Sequence, residues 1–218
     1  MIRVNANDPH AGQPTLTGGV PLEEARGAMV MLHGRGATAE SILALAEVFG
    51  RPDFAYLAPA AAGNAWYPHS FLAPIDRNEP WLSSALAFVG RALEQALGAG
   101  LAPERLMLLG FSQGACLTLE YVAQHARRYG GVAGLTGGLI GPDGTPRDYR
   151  GSLAGTPVFI GSADPDPHIP RERVVHSAAV LERMGAEVTT RIYPGMGHTV
   201  NEDEVEHVRA LMEDVLAR

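Results

Sequence analysis

Short apolar runs recur along the chain, each ending in glycine or polar residues, and apolar positions between them repeat at helical spacing. Residues 28–32 (AMVML), 54–59 (FAYLAP), 106–109 (LMLL) and 156–161 (TPVFIG) have the length and continuity that predict buried strands. Residues 131–140 read as a glycine-rich strand and 188–193 as an alternating one. Residues 1–27 form a polar arm or edge strands, with a short strand at 15–20. Helical spacing places Ile42, Leu45, Ala46 and Phe49 on one face, and likewise Leu82, Ala85, Val89, Leu93 and Ala96. It recurs in Ala115, Cys116, Leu119 and Val122, over 171–184, and in Val205, Val208, Met212 and Val215. Strand and helix alternate, which predicts an α/β fold: one domain over 1–218, with a mostly parallel central sheet and helices on both faces.

In such sheets ligands bind beyond the carboxyl ends of the strands. Four predicted strand ends carry glycine-rich or polar loops: 33–38 (HGRGAT), 110–114 (GFSQG), 162–170 (SADPDPHIP) and 194–199 (PGMGHT). The first has neither the G-x-G-x-x-G order nor a Walker lysine, which excludes a nucleotide cradle. The second is G-x-S-x-G, entered from an apolar strand and left directly into a helix, the context of a nucleophile elbow. Glycine at 110 and 114 removes side chains that would clash in so tight a turn.

A serine hydroxyl is a weak nucleophile near neutral pH and needs a base, for which histidine is suited, and a carboxylate to orient that base. Ser112, then Asp164 or Asp166, then His198 supply these groups in the chain order of α/β-hydrolases. Of the 8 histidines, His198 alone sits on a glycine-bounded loop after a strand and downstream of the acid. His10 falls in the polar arm, and His125, His176 and His207 fall in helices. His33 reads as a structural partner of its glycine turn, whereas His69 and His168 lie where substrate could touch them. No H-x-x-x-H or C-x-x-C spacing points to a metal site.

The segment 60–80 is long for a connection in a compact domain, and such loops are commonly functional. It carries Trp66, Tyr67, His69 and Phe71, which either fill core or wall a substrate pocket. The net charge of −7 argues against nucleic acid, since nothing would neutralise phosphates. The single cysteine, Cys116, excludes an internal disulfide and reads as a small buried hydrophobe. The first residues lack the apolar run of a signal peptide and no stretch is long enough to span a membrane, so a cytoplasmic location is expected.

LHGRGAT, GFSQGA, DPHIP and YPGMGH, in this order, resemble the phospholipase/carboxylesterase family of α/β-hydrolases, which includes bacterial carboxylesterases and acyl-protein thioesterases. The resemblance covers about 28–216, and WYPHSFLAP and NEPWL resemble the bacterial carboxylesterase branch. It implies a hydrolase without a large cap, free of metal or organic cofactor, that cleaves small carboxylic esters through an acyl-enzyme. It also implies Ser112 as nucleophile, His198 as base and Asp166 as acid, because Asp166 to Pro170 fits the family's D-x-x-V-P loop. Asp164 is the alternative. The backbone N–H groups of Arg35 and Gln113 are the implied oxyanion hole, and Trp66, Tyr67, Phe71 and His168 are the expected pocket residues. Arg35 departs from the small or apolar residue common at its position; pointing inward it would favour acidic or polar substrates, pointing outward it is a solvated charge. A thioesterase or lysophospholipase would use the same groups, whereas a binding protein on this fold would not need them. The sequence leaves acyl-chain length and oligomeric state open.

Overall fold

The computed structural model describes residues 8–217. Seven strands form one sheet in the order β1-β3-β2-β4-β5-β6-β7. They are β1 (Thr15–Gly19), β2 (Gly27–Leu32), β3 (Phe54–Pro59), β4 (Leu106–Phe111), β5 (Gly131–Leu135), β6 (Pro157–Asp164) and β7 (Glu187–Pro194). Only β1 runs antiparallel, against β3; the other neighbours are parallel.

Among the described residues six α-helices flank the sheet: α1 (Ala39–Leu43), α2 (Leu45–Phe49), α3 (Trp81–Gly98), α4 (Gln113–Gln124), α5 (Arg171–Arg183) and α6 (Glu202–Ala217). The pleat sends alternate residues to opposite faces. Ala28, Val30 and Leu32 of β2 join Leu106 and Leu108 of β4 in a core with α3, α4 and α5. Met29, Met31, Met107 and Leu109 face the other way, into a core with α1, α2 and α6. Central strands buried on both faces need apolar residues at every position, hence the unbroken runs. The long connections at 60–80 and 136–156 contain no helical layer over the sheet.

The predicted helix around 42–49 is two short helices meeting at Ala44. The predicted strand 131–140 stops at Leu135. Thr136 there has a φ of 57°, and the chain turns between α4 and α5. A Cβ on Gly137 would stand 2.5 Å from the Cβ of Ala115. Beyond that point helix side chains replace the ladder: Leu139 N–H donates to Ser177 Oγ and Ile140 N–H to Glu120 Oε2. His10, expected in a polar arm, is fully buried among Trp66, Trp81 and Phe88. The first seven residues of the expected arm lie outside the described residues.

Candidate active site

At the end of β4 the chain reverses from strand to helix within one residue. Ser112 takes φ 53° and ψ −115°, and α4 begins at Gln113. The turn presses backbone against backbone. A Cβ on Gly110 would lie 2.2 Å from Gly114 O, and one on Gly114 would lie 2.1 Å from Leu32 O. Gly114 therefore serves the approach of α4 to the end of β2 as well as the turn itself.

Three strand ends bring the polar groups together. His198, on the loop after β7, places Nε2 2.9 Å from Ser112 Oγ. Its Nδ1 lies 2.8 Å from Asp166 Oδ2, on the loop after β6. A carboxylate only accepts, so Nδ1 carries the proton and Nε2 is left to accept from the serine hydroxyl. Asp166 Oδ1 accepts from the backbone N–H groups of His168 and Ile169. Burial raises the Asp166 carboxyl, but the hydrogen bonds from His198 and these two amides together hold it below its ordinary value of 3.8. Asp164 turns away to pair with Arg171, at the start of α5, at 3.3 Å. The Phe111 ring centroid stands 5.2 Å from that of His198, and the His168 ring meets it edge-on at 5.0 Å.

A cavity of about 410 Å³ opens over Ser112. Of the residues named for a pocket, Tyr67, Phe71 and His168 line this cavity, together with Phe111 and Ile169, which the sequence did not single out. Trp66 does not line it. Its indole N–H donates to His33 O, its backbone N–H donates to Gln113 Oε1, and the ring is fully buried behind the wall. Cys116 is buried yet reaches the cavity, and burial pushes its thiol up to about 12, so it stays protonated and inert. The Tyr67 hydroxyl is buried without a hydrogen-bond partner among the described residues.

Gln113 begins α4, so its N–H lacks an intrahelical acceptor. The Arg35 N–H lies on the loop that follows the end of β2, and Arg35 lines the same cavity. The side chains of these two residues hold the loop beyond β3. Gln113 Nε2 donates to Tyr67 O, while Arg35 donates to Pro68 O at 2.9 Å and His69 O at 2.6 Å. Arg35 is exposed but pinned, its guanidinium 5.9 Å from the Tyr67 ring centroid. His33 is structural: Nδ1–H donates to Gly34 O and Nε2 accepts from Ala61 N–H. The Gln113 side chain is a further site group the sequence missed; its place inside the G-x-S-x-G turn was the available signal. Among the described residues no group of three or more His, Cys, Asp or Glu is arranged to hold a metal, and no helix is long and apolar enough to cross a membrane.

The phospholipase/carboxylesterase family model matches residues 20–216. The chain belongs to this family. It is an α/β-hydrolase of the ester-cleaving class. It is similar to a phospholipase/carboxylesterase structure from Dyadobacter fermentans, at 46% identity over 93% of this chain and 97% of that one, with a TM-score of 0.89. It is 26% identical to acyl-protein thioesterase 1 of Saccharomyces cerevisiae over 90% of this chain and 96% of the yeast protein. It is 32% identical to acyl-protein thioesterase 1 of Gibberella zeae over 57% of this chain, a match spanning about half, 54%, of that protein's length.

Proposed function

We propose that this protein is a serine carboxylesterase whose catalytic groups are Ser112, His198 and Asp166. The observation that carries this is the continuous hydrogen-bonded series Ser112–His198–Asp166 at the base of a cavity. Ser112 Oγ attacks the acyl carbon as His198 Nε2 takes its proton, and Asp166 stabilises the imidazolium. The N–H groups of Arg35 and Gln113 receive the negative charge on the former carbonyl oxygen, aided by the N-terminus of α4. His198 returns the proton to the leaving alcohol, and water, deprotonated by His198, releases the acid. The names of the curated relatives favour thioesters as a second substrate class, since the same groups would serve. Rates on matched oxyesters and thioesters of increasing chain length decide between them. A cytoplasmic location belongs to this reading, and cell fractionation tests it. A fluorophosphonate probe should label Ser112, and Ser112→Ala should abolish labelling and lower ester hydrolysis by roughly 10⁴–10⁶-fold. Near-normal turnover by folded Ser112→Ala would leave the scaffold as something other than a serine hydrolase.

A further inference from the structure

The cavity over Ser112 changes character from wall to mouth. Phe71, Phe111, Ile169 and the Tyr67 ring supply an apolar wall, whereas the exposed residues at the opening are Arg35, Pro68, His69, Ser70 and His168, of which Arg35 alone carries a permanent charge. No aspartate or glutamate side chain lines it among the described residues. The nearby Asp166 carboxylate is fully buried, with both oxygens taken by His198 and backbone amides. A chain of net charge −7 thus places a fixed cation, and no acidic side chain among the described residues, in the lining around Ser112.

Arg35 is the fixed element of this opening. Of its five N–H donors, two are spent on Pro68 O and His69 O, which hold the guanidinium at the rim beside the Tyr67 ring. Carbonyls orient it without neutralising it, so the full positive charge remains. A side chain already held in place loses little further freedom when a ligand binds, which favours selectivity over mere attraction. His69 and His168, also exposed in the lining, add imidazole donors. A neutral, wholly apolar ester would use none of these groups.

We propose that this site selects small carboxylic esters that carry a carboxylate near the scissile bond, with Arg35 as the selectivity residue. The inference rests on the serine-esterase assignment. Because Arg35 is exposed, the attraction is screened by salt, and its expected size is about 5–30-fold in kcat/KM at low ionic strength. The gain should appear in KM, since the carboxylate is bound alike in the ground and transition states.

The test compares twin substrates that differ only in charge, each rate divided by the uncatalysed rate. Monoethyl glutarate against the ethyl ester of glutaramic acid places the charge on the acyl side. Acetoxyacetate against acetoxyacetamide places it on the alcohol side. In at least one pair the anionic twin should be preferred about 5–30-fold at low salt, with the ratio approaching unity in 0.5 M NaCl, a salt concentration at which the Debye length is only about 4 Å. Arg35→Gln should erase the preference and Arg35→Lys should keep part of it. The ratio within each variant cancels any loss through the Arg35 backbone amide. Parity or preference for the amide twin in both pairs overturns the proposal, as does an unchanged ratio in Arg35→Gln. If the wild-type protein hydrolyses neither twin nor p-nitrophenyl acetate, the esterase assignment itself fails, and this inference with it.

Discussion

Two halves of the site meet at Ser112 and are built differently. On the oxyanion side, most of the backbone from 61 to 70 is held by side chains from outside that stretch. His33 takes Ala61 N–H, and His10 binds Ala62 N–H and Trp66 O. Gln113 binds Trp66 N–H and Tyr67 O, Arg35 binds Pro68 O and His69 O, and Asn78 binds His69 N–H and Ser70 O. On the acid–base side, Pro194, Gly195, Gly197 and Thr199 are exposed, and His198 is tied mainly to Asp166, Ser112 and two rings. The difference matches the tasks proposed for the two halves. Donors that stabilise a developing oxyanion are effective when they need not reorganise, whereas an imidazole that serves first serine and then the leaving group needs room to adjust.

The largest effect expected from breaking either half lies on the lightly held side, where one bond carries the geometry. Asp166→Asn should fold and lose about 10⁴-fold in kcat through a mis-set histidine tautomer, whereas Asp164→Asn should stay within a few-fold. Steady-state kinetics of the two variants under identical conditions measures this, and a larger loss in Asp164→Asn would reverse the assignment. On the densely held side, Gln113→Leu leaves Trp66 N–H and Tyr67 O without partners. It should cost about 2–4 kcal/mol of stability, from two buried polar groups left unsatisfied. It should also lower kcat by about 10²-fold with little change in KM, the scale of a lost oxyanion donor. Urea unfolding and kinetics on the same preparation would separate the two losses; kcat unchanged in a folded variant would mean the loop does not set the oxyanion amides.

Acid and alkali should act on opposite halves. Burial lowers the His10 and His33 imidazoles below 6.5, so each is neutral in the fold and accepts a backbone N–H. As pH falls through 6.5 the unfolded chain takes up protons that the folded one refuses, and stability drops. Denaturant midpoints at pH 7.5 and 5.5 should record that drop, and His10→Gln should reduce it. At the foot of the other half, Glu204 accepts the Asn201 N–H and returns its own N–H to Asn201 Oδ1, capping α6 just past the His198 loop. Burial raises this carboxyl from 4.5 to about 7, against the opposing Asn201 hydrogen bond and with a smaller push from Asp203. The folded state then holds the extra proton, so this contribution is full below 4.5 and is lost as pH rises through about 7. Glu204→Gln should therefore raise the melting temperature by a few degrees more at pH 8.5 than at pH 5.5; an equal change at both would remove Glu204 from the pH response.

The lightly held half was the more legible one in the sequence. The serine turn, the proline-bounded acid loop and the glycine-bounded histidine loop are local patterns, and each follows a recognisable strand. The densely held half is assembled by contacts distant in sequence, which no local pattern encodes. His10 reads as an arm residue because its partners Trp66 and Ser84 lie 56 and 74 positions away. Trp66 reads as a pocket aromatic because wall and core aromatics have the same local signature; the buried carbonyl of His33 decides between them. Strand β5 is over-extended in the sequence because Leu139 and Ile140 are apolar and buried like strand residues, while helix side chains take their hydrogen bonds.

The backbone at Ser112 has a consequence for the history of the chain. A left-handed φ of 53° at a non-glycine residue costs roughly 1–3 kcal/mol, which is a sizeable share of the net stability of a small domain. Glycine would relieve that strain, and Gly110 and Gly114 flank the position with residues of that same freedom. A lineage judged on folding alone would drift toward glycine at 112. With Ser112 as the proposed nucleophile, the serine is kept by turnover and not by folding, so among descendants of this scaffold its replacement by glycine would be an early mark of a hydrolase that has found other employment.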